Sequence, residues 1–192
     1  MNLLTAFREN SSSTDLALSV SASSKCLGQD QWVLNFWIVG DLNEIKLPLP
    51  ISGPVRPGQL NRKDELWKST CFEAFFSSIG KSEYLEINAN TSGFWNAYVF
   101  DSYRSGMRPL EGISLIHSKF EFKDCRTVQA QFTFSLESPL RNFFSQKLDL
   151  SYTSVIEDKN GGITHWAIRH CGQKPDFHLR ESFVLSFETE EG

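Results

Sequence analysis

The chain has 192 residues, 40% of them apolar and 22% charged, enough for one well-buried core and a composition that argues against wholesale disorder and against two ordinary domains. Its net charge of −4 and isoelectric point near 5.6 leave no electrostatic footprint for nucleic acid or an anionic membrane surface as partner. No run approaches the ~18 apolar residues of a membrane span, and residues 1–10 lack the basic start and apolar stretch of a signal peptide, so the expected location is cytoplasmic.

Segments that alternate with period two predict strands along most of the chain. Residues 15–21 put Leu16, Leu18 and Val20 on one side, and 31–39 form a near-continuous apolar run around Val33. Residues 48–62 hold four prolines and two glycines, which cannot sustain a strand ladder. They read as a long loop leading into Trp67, and loops of that length in compact domains are often binding loops. Strands are expected next at 71–76, 83–89, 94–100, 113–122 and 128–136, separated by turn signals such as Ser92-Gly93 and Lys123-Asp124. A serine followed by Pro139 opens the one predicted helical turn, which ends at Phe144. The last strands fall at 148–156, 164–168 and 182–187, with Gly161-Gly162 turning between the first two. About ten or more strands with almost no helical period give an all-β fold: a single antiparallel β-sandwich of jelly-roll or immunoglobulin-like type, one domain over 1–192. Sixteen phenylalanines predict a thick aromatic core. The four cysteines at 26, 71, 125 and 171 lie far apart, with no C-x-x-C, and read as buried or incidental thiols.

The most informative stretch runs over 64–108. Alternation puts Glu73 and Phe75 on one strand face and Phe72, Ala74 and Phe76 on the other. In the next strand Tyr84, Glu86, Asn88 and Asn90 lie together, opposite Leu85, Ile87 and Ala89. The apolar sets must face the core, which leaves Glu73, Glu86 and Asn88 on a second, polar face. Carboxylates that accept hydroxyls, beside an amide that both donates and accepts, suit a vicinal diol. An ordinary solvated sheet face has the same pattern. Trp67 is placed to cover one end of that face, Trp95 follows in the same segment, and Trp166 is placed to face Trp67 across a cleft. Burial in the core is the alternative for each tryptophan. Tyr103 and Arg104 sit in a hairpin around Ser105-Gly106 and are candidates for a site rim, with Arg104 pairing either with Asp101 or with a ligand anion.

His165 and His170 are five residues apart, so on an unbroken strand they face opposite sides and cannot share a metal. His178 follows Asp176, an acceptor suited to orienting its ring. No metal site is expected. Nucleophile-elbow, phosphate-loop and H-E-x-x-H sequences do not occur. The reading is binding without catalysis, with Glu73 and Glu86 as a glycosidase pair the enzymatic alternative.

At this point the chain resembles a family. Asp64-Glu-Leu-Trp-Lys-Ser-Thr-Cys-Phe-Glu-Ala-Phe-Phe76, Tyr84-Leu-Glu-Ile-Asn88 with Trp95 and Tyr98, and Asp101-Ser-Tyr-Arg-Ser-Gly-Met-Arg108 look like a bacterial DOMON-like domain. So do Val155-Ile-Glu-Asp158, Thr164-His-Trp-Ala-Ile168 and Pro175-Asp-Phe-His-Leu-Arg180. The resemblance covers roughly residues 15–188 and implies a β-sandwich related to family-nine carbohydrate-binding modules and to haem-binding cytochrome domains. In the sugar-binding relatives a tryptophan before the strand stacks on the sugar and a glutamate in the strand accepts its hydroxyls. Trp67, Glu73 and Asn88 fall at similar positions. Glu86 departs from the pattern, because a basic residue is expected there; two carboxylates without a cation require that one be protonated or that Arg104 or Arg108 reach in. The resemblance implies a non-catalytic module for a small polar ligand, a saccharide first, with no cofactor. The alternatives it leaves open are haem held by Met107 and a histidine, and an interaction or accessory domain of a cell-wall-related enzyme.

Overall fold

Alternating sequence builds twelve strands and one short helix among the residues described by the computed structural model, which are 1–7, 17–28, 30–48, 62–144 and 146–187. The strands are β1 (Asn2–Ala6), β2 (Leu18–Leu27), β3 (Gln31–Gly40), β4 (Cys71–Ser78), β5 (Tyr84–Ala89), β6 (Trp95–Phe100), β7 (Arg108–Pro109), β8 (Ile113–Phe122), β9 (Thr127–Leu136), β10 (Leu148–Glu157), β11 (Ile163–Ala167) and β12 (Leu185–Phe187). The helix α1 (Ser138–Phe144) opens at the expected Ser-Pro step. Neighbours pair antiparallel in the order β7-β6-β5-β4-β10-β11-β1-β2-β3-β9-β8, and β12 pairs with the start of β10.

Strand β1 is where this continuous sheet folds over on itself. Its residues 2–4 pair with β2, while Thr5 and Ala6 pair with β11. The two halves thus face one another as a sandwich, and aromatic rings fill the space between them. Trp32 meets Phe76 at 4.1 Å between ring centroids, Phe36 meets Phe72 at 4.9 Å, and Trp95 meets Phe134 at 5.7 Å. The all-β sandwich expected from the sequence is the fold observed.

The β4–β5–β6 half is buried on both faces. Its inner face carries Phe72, Ala74, Phe76, Leu85, Ile87 and Ala97 into the main core. Most of its outer face is also covered. The segments before β4 and after β11 close over it, and Leu66, Phe177 and Phe183 pack there against Phe75, Tyr84, Tyr98 and Phe100 as a second, smaller core. An antiparallel sheet usually leaves one face solvated; here two irregular segments replace the solvent.

Two expectations need correction, and a third falls partly outside the described residues. No strand was expected at 2–6, because a segment of five residues with only Leu4 buried and Leu3 63% exposed carries almost no alternation. The segment 182–187 is a 3-10 turn (Arg180–Ser182) followed by a shorter strand, since Phe183 turns into the second core. Strand β2 begins at Leu18, and residues 15 and 16, like all of the proline loop except Pro48 and Arg62, lie outside the described residues.

Candidate functional site

A pocket of about 300 Å³ opens on the outer face of β4–β6 and β10. Glu73 of β4 and Glu86 of β5 belong to its lining, with Val155 of β10 beside them, and all three side chains are almost fully buried. Ladder register explains their proximity. Glu73 pairs with Asn88 and Phe75 with Glu86, so the two carboxyls sit diagonally on one face of adjacent strands. Trp67, Phe100, Met107, Arg104, His165, Pro175, Phe177 and His178 complete the lining.

Trp67 owes its position to the residues before it. Asp64 accepts hydrogen bonds from Asn96 Nδ2 and from the Tyr98 hydroxyl, both at 2.8 Å, which ties the incoming chain to β6. Glu65 then takes a left-handed conformation (φ 60°), Leu66 plugs into the second core, and Trp67 is left half-buried, edge-on to Tyr98 at 6.0 Å. The opposite wall is pinned by Asp176. Its carboxylate receives Arg104 at 2.9 Å, the Tyr103 hydroxyl at 2.5 Å and the His178 backbone N–H at 3.1 Å. Burial opposes ionisation of Asp176, but the bonds from Tyr103 and Arg104 outweigh it and hold its carboxyl below the usual range.

The floor carries charge with few partners. Glu73 Oε2 accepts from Thr153 at 2.8 Å, and Glu86 Oε1 accepts from Asn88 Nδ2 at 2.7 Å. Their other oxygens have no hydrogen-bond partner among the described residues. Burial, and then the neighbouring Glu86, push Glu73 well above the ordinary carboxylate range; Thr153 only partly offsets this. Burial likewise raises Glu86, against the pull of Asn88 and Arg104. The oxygen Oδ1 of Asn88 is buried and has no partner, and it stands directly opposite Glu73 in the ladder. The sequence left two ways to relieve the pair, a proton or an arginine; Arg104 is held by Asp176 and Arg108 by Asp101, and burial raises both acids, which favours the proton.

The imidazole of His178 is fixed by Tyr84, whose hydroxyl lies 2.8 Å from Nδ1 and also accepts the Arg104 backbone N–H at 3.2 Å. With one acceptor position of the phenol already taken by Arg104, its proton is free to point at Nδ1, and in that tautomer the neutral ring carries its own proton on Nε2. Burial, then Arg104, depress the imidazole to about 4. His165 is lowered too, by burial and by His170. The pocket therefore combines an acidic floor with aromatic and neutral imidazole walls. Its lining cation, Arg104, is already engaged by Asp176.

Among the residues singled out from sequence, Trp67, Glu73, Glu86, Arg104 and His178 meet at this pocket. Asn88 is wholly buried beneath it and supports Glu86. Tyr103 is 51% exposed and braces the rim through Asp176. Trp95 and Trp166 are corrections. Trp95 pairs with Ala89, and Trp166 with Ser154 and Ala6, which directs both into the main core, away from the pocket. His165, one residue earlier than Trp166, takes the outward position instead. Asp176 binds the backbone rather than the ring of His178, and Arg104 pairs with Asp176 while Arg108 takes Asp101. The strand expected to separate His165 from His170 ends at Ala167, and both rings pack against Phe177. Phe100, Pro175 and Phe177 were missed; apolar residues on a covered outer face look like core in any alternating strand. Among the described residues no group of acidic, histidine or cysteine side chains has the arrangement of a metal site.

No protein-family model and no curated protein matches the chain. Its backbone course is similar to a protein from Bacteroides uniformis provisionally described as carbohydrate-binding, with a TM-score of 0.48 and 10% identity over 86% of this chain and 75% of that one. It is similar also to a family-nine carbohydrate-binding module from Caldicellulosiruptor kristjanssonii in complex with cellotriose, with a TM-score of 0.47 and 9% identity over 87% of this chain and 72% of that one. Likenesses at this level decide nothing about the ligand, and the functional reading rests on this chain's own residues.

Proposed function

We propose that the protein is a β-sandwich module, of DOMON-like kinship, that binds a small polar ligand in the pocket over Glu73 and Glu86 without transforming it, and that this ligand is a saccharide. One observation carries the reading. Two nearly fully buried carboxyls with free acceptor positions line a pocket walled by Trp67, Phe100 and Phe177. Concave apolar surface with a few fixed polar groups is how proteins hold small polar ligands. Aromatic rings take the apolar face of a sugar, and the carboxyls and the His178 N–H take its hydroxyls. A volume of about 300 Å³ suits one sugar ring better than a chain. One stacked ring with a few hydrogen bonds supports affinity of roughly micromolar to millimolar order.

Met107, His165 and His178 border the pocket, and methionine and histidine are ligands of haem in cytochrome domains. The paired carboxyls fit that group poorly, because they would set charge against the apolar face of a macrocycle. Exposed free thiols at Cys125 and Cys171 accord with a reducing compartment, and we place the protein in the cytoplasm. A thermal-shift panel of neutral, amino and acidic monosaccharides tests the reading. Stabilisation by one sugar class that is lost in Trp67→Ala supports it, and no stabilisation by any sugar overturns it.

A further inference from the structure

The charges around the pocket do not balance. Glu73 and Glu86 share its floor, each with one oxygen left without a partner among the described residues. Of the cationic side chains among the described residues, only Arg104 reaches the lining, and Asp176 holds it at 2.9 Å. Both lining imidazoles are kept neutral by burial. The compensating positive charge must therefore arrive as a proton or on the ligand. Buried acids are ordinarily matched by a fixed cation within the protein, and a protein that binds only hydroxyls has no need of a second unmatched carboxyl.

We infer that the ligand carries an ammonium group, which seats between Glu73 and Glu86 against the aromatic walls, and that its class is the amino sugars. This rests on the saccharide reading and narrows it. An ammonium has three donors and no acceptor, which matches the free carboxylate oxygens. Aromatic faces such as those of Trp67, Phe100 and Phe177 add cation–π attraction in a desolvated site. Binding converts the pair from one shared proton to two carboxylates facing one cation, so the ligand's arrival expels that proton to solvent. Charge balances in this step: the singly protonated pair gains a cation and loses a proton.

The test is calorimetric titration of the intact chain near pH 7 with glucosamine, N-acetylglucosamine, glucose and cyclohexylamine, each in two buffers of different ionisation enthalpy. Glucosamine is expected to bind at least about tenfold more tightly than both neutral sugars and to release up to about one proton, which the neutral sugars do not release. Glu73→Gln and Glu86→Gln, each checked for an intact melting transition, should remove that preference and the proton release, so that glucosamine binds no more tightly than glucose. Equal or tighter binding of glucose or N-acetylglucosamine overturns the ammonium inference and leaves the saccharide reading standing. Cyclohexylamine binding with no sugar bound keeps the ammonium seat and overturns the saccharide reading. Binding of none of the four overturns both.

Discussion

Glutamine in place of Glu73 keeps the shape of the side chain and removes its charge. The wild-type carboxyl is 2% exposed, accepts a hydrogen bond from Thr153 at 2.8 Å, and lies beside the buried Glu86. In the unfolded chain it ionises in the ordinary carboxylate range; folding pushes it well upward through burial and then through Glu86. The folded protein thus holds this proton more tightly than the unfolded chain does. The sign follows: Glu73's contribution is full at acid pH and is lost as pH rises from the ordinary carboxylate range through the raised folded value. Each unit of upward displacement removes about 1.4 kcal/mol, and an effective displacement of about two units in a relaxed, partly hydrated site gives about 2–3 kcal/mol. Glutamine avoids that loss and still accepts from Thr153. For a chain of this size each kcal/mol moves the melting temperature by about 2–4 °C, so Glu73→Gln should melt roughly 4–10 °C above wild type near pH 9. Near pH 4 the gap should close to within ~2 °C, because Glu73 is then protonated in the folded state and largely protonated in the unfolded chain. Differential scanning fluorimetry across that range measures it. A variant less stable at every pH, or a gap that does not change with pH, would refute a protonated, desolvated Glu73.

The corrected tryptophans separate site from core. Trp166→Ala should cost about 3–5 kcal/mol, as a buried indole lost from a core does, whereas half-buried Trp67→Ala should melt within a few degrees of wild type yet lose at least about tenfold in ligand affinity. Comparable melting for the two variants would place Trp166 outside the core. His178 is depressed to about 4 by burial and then by Arg104, so its stabilising effect is full above the ordinary imidazole range and is lost as pH falls toward about 4. Its ring proton resonances should stay flat between about pH 7 and 5 in an NMR titration, and a midpoint near the ordinary imidazole value of about 6.5 would contradict its burial against Phe75 and Phe100. Asp176→Asn weakens three anchoring bonds at once, from Arg104, Tyr103 and the His178 backbone. It should lower stability by about 1–2 kcal/mol, since half-exposed Arg104 adds little, and weaken the ligand severalfold. Thermal melts with and without ligand report both, and an unchanged affinity would remove the wall from the site.

Strand alternation was enough to sort Glu73, Glu86 and Asn88 onto one face and Phe72, Ala74, Phe76, Leu85 and Ile87 onto the other, because a period of two leaves no third choice. It was silent about what lies over each face. The covering segments at 62–69 and 170–184 are largely irregular, so their packing against Phe75, Tyr84 and Phe100 follows from tertiary contact rather than local pattern. That is why a face read as either solvated or concave turned out to be a second core with a pocket in it. The same limit misplaced Trp95 and Trp166. Their inward direction is set by register with Ala89 and Ser154, whereas an isolated tryptophan in a sequence suggests a platform as readily as a core residue. The lack of a cation beside Glu86 was legible as a conflict. That Arg104 is turned to Asp176, and that burial raises both acids so that a proton rather than an arginine relieves them, needed the fold.

Two-dimensional NMR of the side-chain resonances during titration with the sugar panel tests the pocket most directly. Binding at the proposed site predicts concerted shifts of the Trp67 indole N–H and of the His165 and His178 ring protons, with the indoles of Trp32, Trp95 and Trp166 unmoved. A sugar that binds but leaves Trp67 and both histidines unshifted, or a panel that shifts nothing, would contradict the pocket as the ligand site.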